Sequence, residues 1–173
     1  GYHAPFRREG ISGQAGDHLT DRLTDEARKF IEQNTAKPFF LYLSHFAVHD
    51  PIHGRPDLVK KYQAKLAQMK RQAGPDFILE GNPDDAKPAT RAELDDLVKQ
   101  PSHRGFRVLP GHTVKIKQHQ DNTQFAAMVG AMDDSLGRVL AKLESLGLED
   151  KTIVIFCSDN GGMAAGNFGN PKR

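Results

Sequence analysis

Thr152-Ile153-Val154-Ile155-Phe156-Cys157-Ser158-Asp159-Asn160-Gly161-Gly162 is the stretch on which the fold turns. Its first five residues are uncharged and mostly β-branched, a composition that favours an extended chain packed on its neighbours. The run is too short for a helix of its own and lacks polar alternation. It therefore reads as a strand buried on both faces, as strands of parallel sheets are. Phe39-Phe40-Leu41-Tyr42-Leu43, just after Lys37-Pro38, has the same character. Between the two lies a long connection with helical patterns, and strand, crossover, strand is the βαβ grammar of a right-handed parallel unit. The expected fold class is α/β, a mainly parallel sheet flanked by helices.

Working outward, Gly10, Gly13 and Gly16 form a glycine-rich lead-in, and Thr20 is placed to cap a helix with Asp21 and Asp25 in its first turns. Leu23, Ala27, Phe30 and Ile31 recur on one face of that helix, which should end near Asn34. Pro56 suits the first turn of a second helix running to about Gln72, with Leu58, Tyr62, Leu66 and Met69 as its apolar stripe. Residues 52–120 form an excursion rich in Pro, Gly, His and charge; beyond Asp76 it is punctuated by Pro83, Pro88, Pro101 and Pro110, with one short helix expected near Arg91 to Lys99. A connection this long in a compact domain is usually functional or disordered. From Thr123 an apolar face of Phe125, Met128, Met132, Leu136, Val139, Leu140 and Leu143 marks a long helix, closed by Gly147 in the left-handed conformation.

The 173 residues, 38% of them hydrophobic, leave room for one domain with a sizeable core. The 24 basic and 22 acidic side chains are interspersed, and a net charge of +2 without a basic arm argues for no nucleic-acid partner. The longest apolar run is far below the roughly 18 residues of a membrane span, and residues 1–10 contain no signal-like apolar segment. Cys157 is the lone cysteine, which excludes an intrachain disulfide framework and any multi-cysteine metal site.

In an open parallel sheet, ligands bind beyond the carboxyl ends of the strands. That rule selects Ser44-His45-Phe46-Ala47-Val48-His49-Asp50-Pro51 after the first strand and Cys157-Ser158-Asp159-Asn160-Gly161-Gly162 after the second. Asp159 and Asn160 are adjacent oxygen donors followed by glycines that let the backbone approach a ligand, a pairing suited to a hard cation, Ca²⁺ or Mg²⁺. The same four residues also read as a plain turn. His49 could donate a proton to a leaving group or bind an anion, with Asp50 available to raise its pKa; it also reads as a surface loop histidine. His45 and His53 share its neighbourhood, and their spacing with His49 would suit zinc only on a helix, which Pro51 interrupts. Cys157 reads as a buried strand-end residue more readily than as a thiol nucleophile, because no base is assigned to it. Arg107, Lys115 and Lys117 could meet an anionic substrate or be solvated.

Taken together, these segments resemble the sulfatase family of the alkaline-phosphatase-like superfamily. The carrying residues are Lys37 to Leu43 with His49 and Pro51, Ala127-Met128 through Met132-Asp133-Asp134 to Gly137-Arg138, and Gly147-Leu148 running into Thr152 to Gly162, with Leu19-Thr20-Asp21 upstream. The resemblance covers about residues 17–62 and 121–162. It implies hydrolysis of sulfate esters by a formylglycine made from the cysteine or serine of a Cys/Ser-x-Pro-x-Arg motif, beside a bound Ca²⁺, with Mg²⁺ as the alternative. Asp159 and Asn160 match the family's second pair of metal ligands, and His49 matches a histidine that contacts the sulfate and assists the leaving group. Phosphatase and phosphodiesterase relatives typically place Asp-His at this position and bind zinc, so Asn160 favours the sulfatase branch.

No Cys/Ser-x-Pro-x-Arg occurs in the chain, and the family's paired aspartates and following lysine are missing. The expectation is therefore an internal stretch, residues 1–173, of a longer sulfatase catalytic domain, inactive by itself. Residues 52–120 would face the substrate, a sulfated small molecule or sulfated glycan, and the location would be periplasmic, secreted or lysosomal. A phosphoryl-transfer relative and a non-catalytic binding module are the alternatives.

Overall fold

The computed structural model describes residues 1–6, 10–70, 73–74, 77–82, 85–99 and 112–162. These fall into two compact units, one formed by Gly1–Met69 with Asn122–Asp159, the other containing the described residues of Lys70–Asp121 and 160–162.

The first unit is organised around three helices: α1, Leu19–Gln33; α2, Pro56–Gln68; and a long α4, Thr123–Ser145. The C-terminal half of α4 packs on α1 through Val139 and Leu143 against Ala27 and Ile31, and its N-terminal half packs on α2 through Ala127 and Ala131 against Leu58 and Val59. The buried positions Ala127, Ala131, Ser135, Val139 and Leu143 repeat every fourth residue, one stripe down a helix. This stripe is rotated from the expected one. Leu140 is exposed, whereas small residues that the hydrophobicity pattern passed over are fully buried, because small side chains let helix backbones approach closely. Gly130 serves the same end: a Cβ there would lie 2.8 Å from the Tyr62 hydroxyl.

The ends of α4 follow from local chemistry. The Asn122 side chain accepts hydrogen bonds from the Gln124 and Phe125 amides, as an N-cap does. At the other end Gly147 takes φ +63°, its N–H donates to Glu144 O at 2.9 Å, and the Leu148 N–H donates to Leu143 O at 2.9 Å. That is a Schellman closure, and Leu148 packs back on the cluster that contains Leu143. Pro56 opens α2 as expected, but the helix stops at Gln68, and Met69 is exposed. α1 is capped by the backbone of His18 instead of by Thr20, which is buried inside the first turn.

The second unit contains β1, Phe77–Gly81; α3, Arg91–Lys99; and β2, Thr113–Lys117. β1 and β2 pair antiparallel with Phe77 opposite Lys117 and Gly81 opposite Thr113. α3 starts on a capping box: the Thr90 N–H donates to Glu93 Oε2 at 2.7 Å, and the Glu93 N–H reaches Thr90 Oγ1. Backbone hydrogen bonds from the Asn82 and Ala89 amides to His112 O close the strand ends. This sheet went unread in the sequence, although Val114 and Ile116 alternate with Thr113, Lys115 and Lys117 as a strand's residues do.

The described residues do not show the expected parallel sheet. Among the described residues the only sheet is the antiparallel pair, and neither Phe39–Leu43 nor Thr152–Phe156 is paired in a ladder. Phe39, Leu41 and Leu43 pack on the α1–α4 core, whereas Phe40 and Tyr42 are 85% and 80% exposed. Exposure that alternates with period two is what a pleated chain shows when helices cover one face only. Ile153 and Ile155 are 90% and 83% exposed, so the second run is not buried on both faces either. Burial on both faces needs lateral strands and a second helix layer, and the described residues supply one helix layer. Cys157, expected to be buried at the strand end, is exposed for the same reason.

Candidate functional site

Two segments carry the predicted chemistry, and the first is the loop from Ser44 to Arg55. Its backbone is held from several distant parts of the chain. The Tyr2 hydroxyl donates to Phe46 O and to His49 O, the latter at 2.9 Å. His18 Nε2 donates to His53 O at 3.3 Å, and the Gly54 N–H donates to Gln124 Oε1 at 2.8 Å. Gly54 lies so close to α4 that a Cβ would come within 2.5 Å of Ala127 Cβ. Arg55 closes the loop with ion pairs to Asp21 at 2.9 Å, Asp57 at 2.8 Å and Asp134 at 2.9 Å. Its guanidinium is held firmly charged, chiefly by the hydrogen bond to Asp57. Arg138 pairs with Asp21 and Asp25, so two arginines and the acids of α1 and α4 form one lattice at the loop's end.

His49 itself is exposed on this loop, and its Nδ1 lies 2.8 Å from the Asp50 carbonyl oxygen. A carbonyl can only accept, so Nδ1 is the donor in this contact and Nε2 is the nitrogen left to face a ligand. The ring thus contacts its neighbour's backbone carbonyl. His45 is partly buried, with Nε2 3.2 Å from Ser135 Oγ, and Ser135 lies 2.6 Å from Thr24 Oγ1. Burial holds the His45 ring below its ordinary pKa, and its buried Nδ1 has no hydrogen-bond partner among the described residues. The His53 ring is exposed, 6.3 Å from the His3 ring. His18, 2% exposed and stacked on Tyr2, is likewise held below its ordinary pKa mainly by burial.

The second segment ends in Asp159 and Asn160, both exposed, followed by Gly161 at φ +80°. Their carboxylate and amide oxygens are the donors a hard cation takes. Among the described residues no group of three or more His, Cys, Asp or Glu side chains could hold a metal ion. A Ca²⁺ shell needs about six to eight oxygens, so a carboxylate and an amide could supply only part of one. Of the basic residues singled out, Lys117 pairs with Asp121 at 2.5 Å, and Arg107 lies outside the described residues.

Tyr2, His18, Gln124, Ser135 and Arg55 went unnoticed in the sequence, although they fix the loop that carries His49. The readable signal was polar residues at buried helical positions, such as Ser135 within an apolar stripe.

A loop imidazole with one nitrogen committed to a carbonyl can donate from the other, and adjacent carboxylate and amide oxygens are donors of the kind hard cations take. The chain belongs to the sulfatase family: the family's sequence profile, described as Sulfatase, matches residues 2–172. Membership carries with it an alkaline-phosphatase-like α/β fold. Among its relatives, a sulfatase of Schizosaccharomyces pombe, described as uncharacterized, is 27% identical over 163 residues, which are 92% of this chain and 28% of the relative. A multifunctional alkaline phosphatase superfamily protein of Trinickia caryophylli is 25% identical over 93% of this chain and 34% of its own length. An arylsulfatase of Klebsiella aerogenes is 26% identical over 96% of this chain and 36% of its own length. The chain thus spans about a third of each of these relatives. No helix among the described residues is long and apolar enough to cross a membrane.

Proposed function

We propose that this chain forms part of the catalytic domain of a sulfatase that hydrolyses sulfate esters, with His49 in the active site and Asp159 and Asn160 among the ligands of a Ca²⁺ ion, Mg²⁺ being the alternative. The observation that carries the reading is the sulfatase match over residues 2–172, which includes all three residues. The formylglycine nucleophile lies outside this sequence, since no Cys/Ser-x-Pro-x-Arg is present. A divalent cation held at Asp159 and Asn160 would neutralise the sulfate oxygens as the S–O bond breaks.

The remaining steps belong to the chain's own groups. His49 keeps Nδ1–H on the Asp50 carbonyl and uses Nε2–H to protonate the departing oxygen, which matters most when the leaving alkoxide is strongly basic. The same N–H hydrogen-bonds the bound anion beforehand. Asp159 supplies the negative charge that retains the cation, and Asn160 adds a neutral oxygen. The substrate is a sulfated small molecule or sulfated glycan, met by residues 52–120, and the family suggests a periplasmic, secreted or lysosomal enzyme.

The test uses the full-length protein that contains these residues. Bound metal is measured by elemental analysis and hydrolysis with an aryl and an alkyl sulfate. Asp159→Ala should lose the bound Ca²⁺ and at least about 100-fold in kcat/KM. His49→Gln should lose far more activity on the alkyl than on the aryl sulfate. A second reading, phosphoryl transfer, is favoured by the similarity to the Trinickia caryophylli protein. Bound zinc with preference for a phosphate ester would establish it in place of the first. An intact protein that binds sulfate esters without turnover would instead show a binding module.

A further inference from the structure

We propose that Tyr2 is a positioning residue for His49, an inference that rests on the role of His49 given above. Residues 46–49 form a turn in which the His49 N–H donates to Phe46 O at 2.9 Å. The Tyr2 hydroxyl donates to the carbonyl at each end of that turn, Phe46 O and His49 O, across 44 and 47 residues of sequence. One phenolic proton is shared between two acceptors, so a single side chain clamps the turn closed.

Tyr2 is itself immobilised. It is 3% exposed in a cluster with Leu19 and Met128, which are 3% and 0% exposed, and its ring stacks on His18 at 5.8 Å. His49, Asp50 and Pro51 are exposed, Ala47, Val48 and Ile52 reach the apolar cluster below, and His45, one residue before the turn, bonds Ser135. The other side-chain contacts to the loop backbone fall at His53 and Gly54, past the imidazole. The hydroxyl of Tyr2 therefore sets where the His49 Cα sits, and with it the reach of Nε2. A displacement of about 1 Å at a reacting group can cost on the order of 100-fold in rate.

The experiment compares Tyr2→Phe, His49→Gln and the double variant with the parent in the full-length enzyme, on an alkyl sulfate and a nitrophenyl sulfate, with rates normalised to folded protein by circular dichroism. Tyr2→Phe keeps the ring and its stacking and removes only the hydroxyl. It should lower kcat on the alkyl sulfate about tenfold, leave KM within about twofold, and leave the nitrophenyl sulfate nearly unaffected. In the His49→Gln background, Tyr2→Phe should change neither substrate further. If Tyr2→Phe does not fold, p-aminophenylalanine at position 2, an isosteric ring with a weaker donor, should give a smaller loss that is again confined to the alkyl sulfate. Equal losses on both substrates, or additive losses in the double variant, would show that Tyr2 merely stabilises the fold and overturn the inference alone. A His49→Gln enzyme that treats the two substrates alike would overturn the assignment of His49 and this inference with it.

Discussion

Gly54 offers the sharpest structural test of how the His49 loop is seated. Its backbone enters the groove between α2 and α4, and an alanine methyl there would lie 2.5 Å from Ala127 Cβ, 2.8 Å from Gln124 O and 2.9 Å from Val59 Cγ2. Carbon atoms rest at about 3.5–4.0 Å, so each contact needs relief of about 1 Å. None of the three atoms can give it easily: one is a helix carbonyl, one a Cβ fixed to the α4 backbone, and one belongs to a stiff β-branched side chain. Overpacking of this kind costs about 1–3 kcal/mol. The shift would also strain the 2.8 Å hydrogen bond from the Gly54 N–H to Gln124 Oε1, worth about 1 kcal/mol. Gly54→Ala should therefore destabilise the unit by about 3 kcal/mol, a rise of roughly 150-fold in its unfolding equilibrium constant. Urea unfolding of the full-length protein, followed by far-UV circular dichroism, reads the change. Ala127→Gly removes the nearest clash but leaves the carbonyl, so in the double variant it should recover about 1–2 kcal/mol, although by itself it costs about 1 kcal/mol of helix propensity. A Gly54→Ala protein within about 0.5 kcal/mol of the parent, or strict additivity in the pair, would refute the seating described here.

Two further predictions follow from burial. His18 and His45 are held below their ordinary pKa near 6.5 chiefly by desolvation. The unfolded chain then binds protons that the folded one refuses. Their stabilising contribution is complete above about pH 6.5 and is lost as pH falls from there toward the lowered folded-state values, by up to about 1.4 kcal/mol per pH unit for each ring. His18→Gln should flatten that slope in urea titrations between pH 7 and 5, and an unchanged slope would count against the assignment. The second concerns the uncovered apolar side chains: with Phe40, Tyr42, Ile153 and Ile155 at least 80% exposed, the 173-residue chain by itself should self-associate at micromolar concentration. Ile153→Lys with Ile155→Lys should reduce this in sedimentation velocity, and a monomeric parent chain would show that the face is covered in solution.

What could be read from the sequence was what neighbouring residues decide. Pro56 starts α2, α3 runs over the expected Arg91–Lys99, and Gly147 adopts the left-handed closure after α4. Each depends on a backbone preference acting within one or two turns. What escaped depends on partners far along the chain. β1 and β2 are separated by α3, and no turn residue announces their pairing. An apolar run says that a strand wants two covered faces, not whether the residues at hand cover them, and so the composition of Thr152–Phe156 predicts a sheet that the described residues do not form. The candidate site divides the same way. His49, Asp159 and Asn160 could be singled out because strand ends are where ligands bind, but the side chains that hold the loop, Tyr2, His18 and Gln124, look like ordinary residues of other segments.

Ser135 shows that part of this was recoverable. It interrupts the stripe Ala127, Ala131, Val139, Leu143 at a position that is 2% exposed, and a hydroxyl buried without a partner costs about 1–3 kcal/mol. A partner therefore had to exist. Thr24, one turn before Arg28 on the facing helix, is the buried hydroxyl that meets it at 2.6 Å, and Ser135 in turn receives His45 from the loop. A polar residue set in an apolar stripe thus predicts a contact with another polar residue from a distant segment. Here that contact ties the His49 loop to the two longest helices of its unit, and it connects the packing of α1 on α4 with the placement of the imidazole.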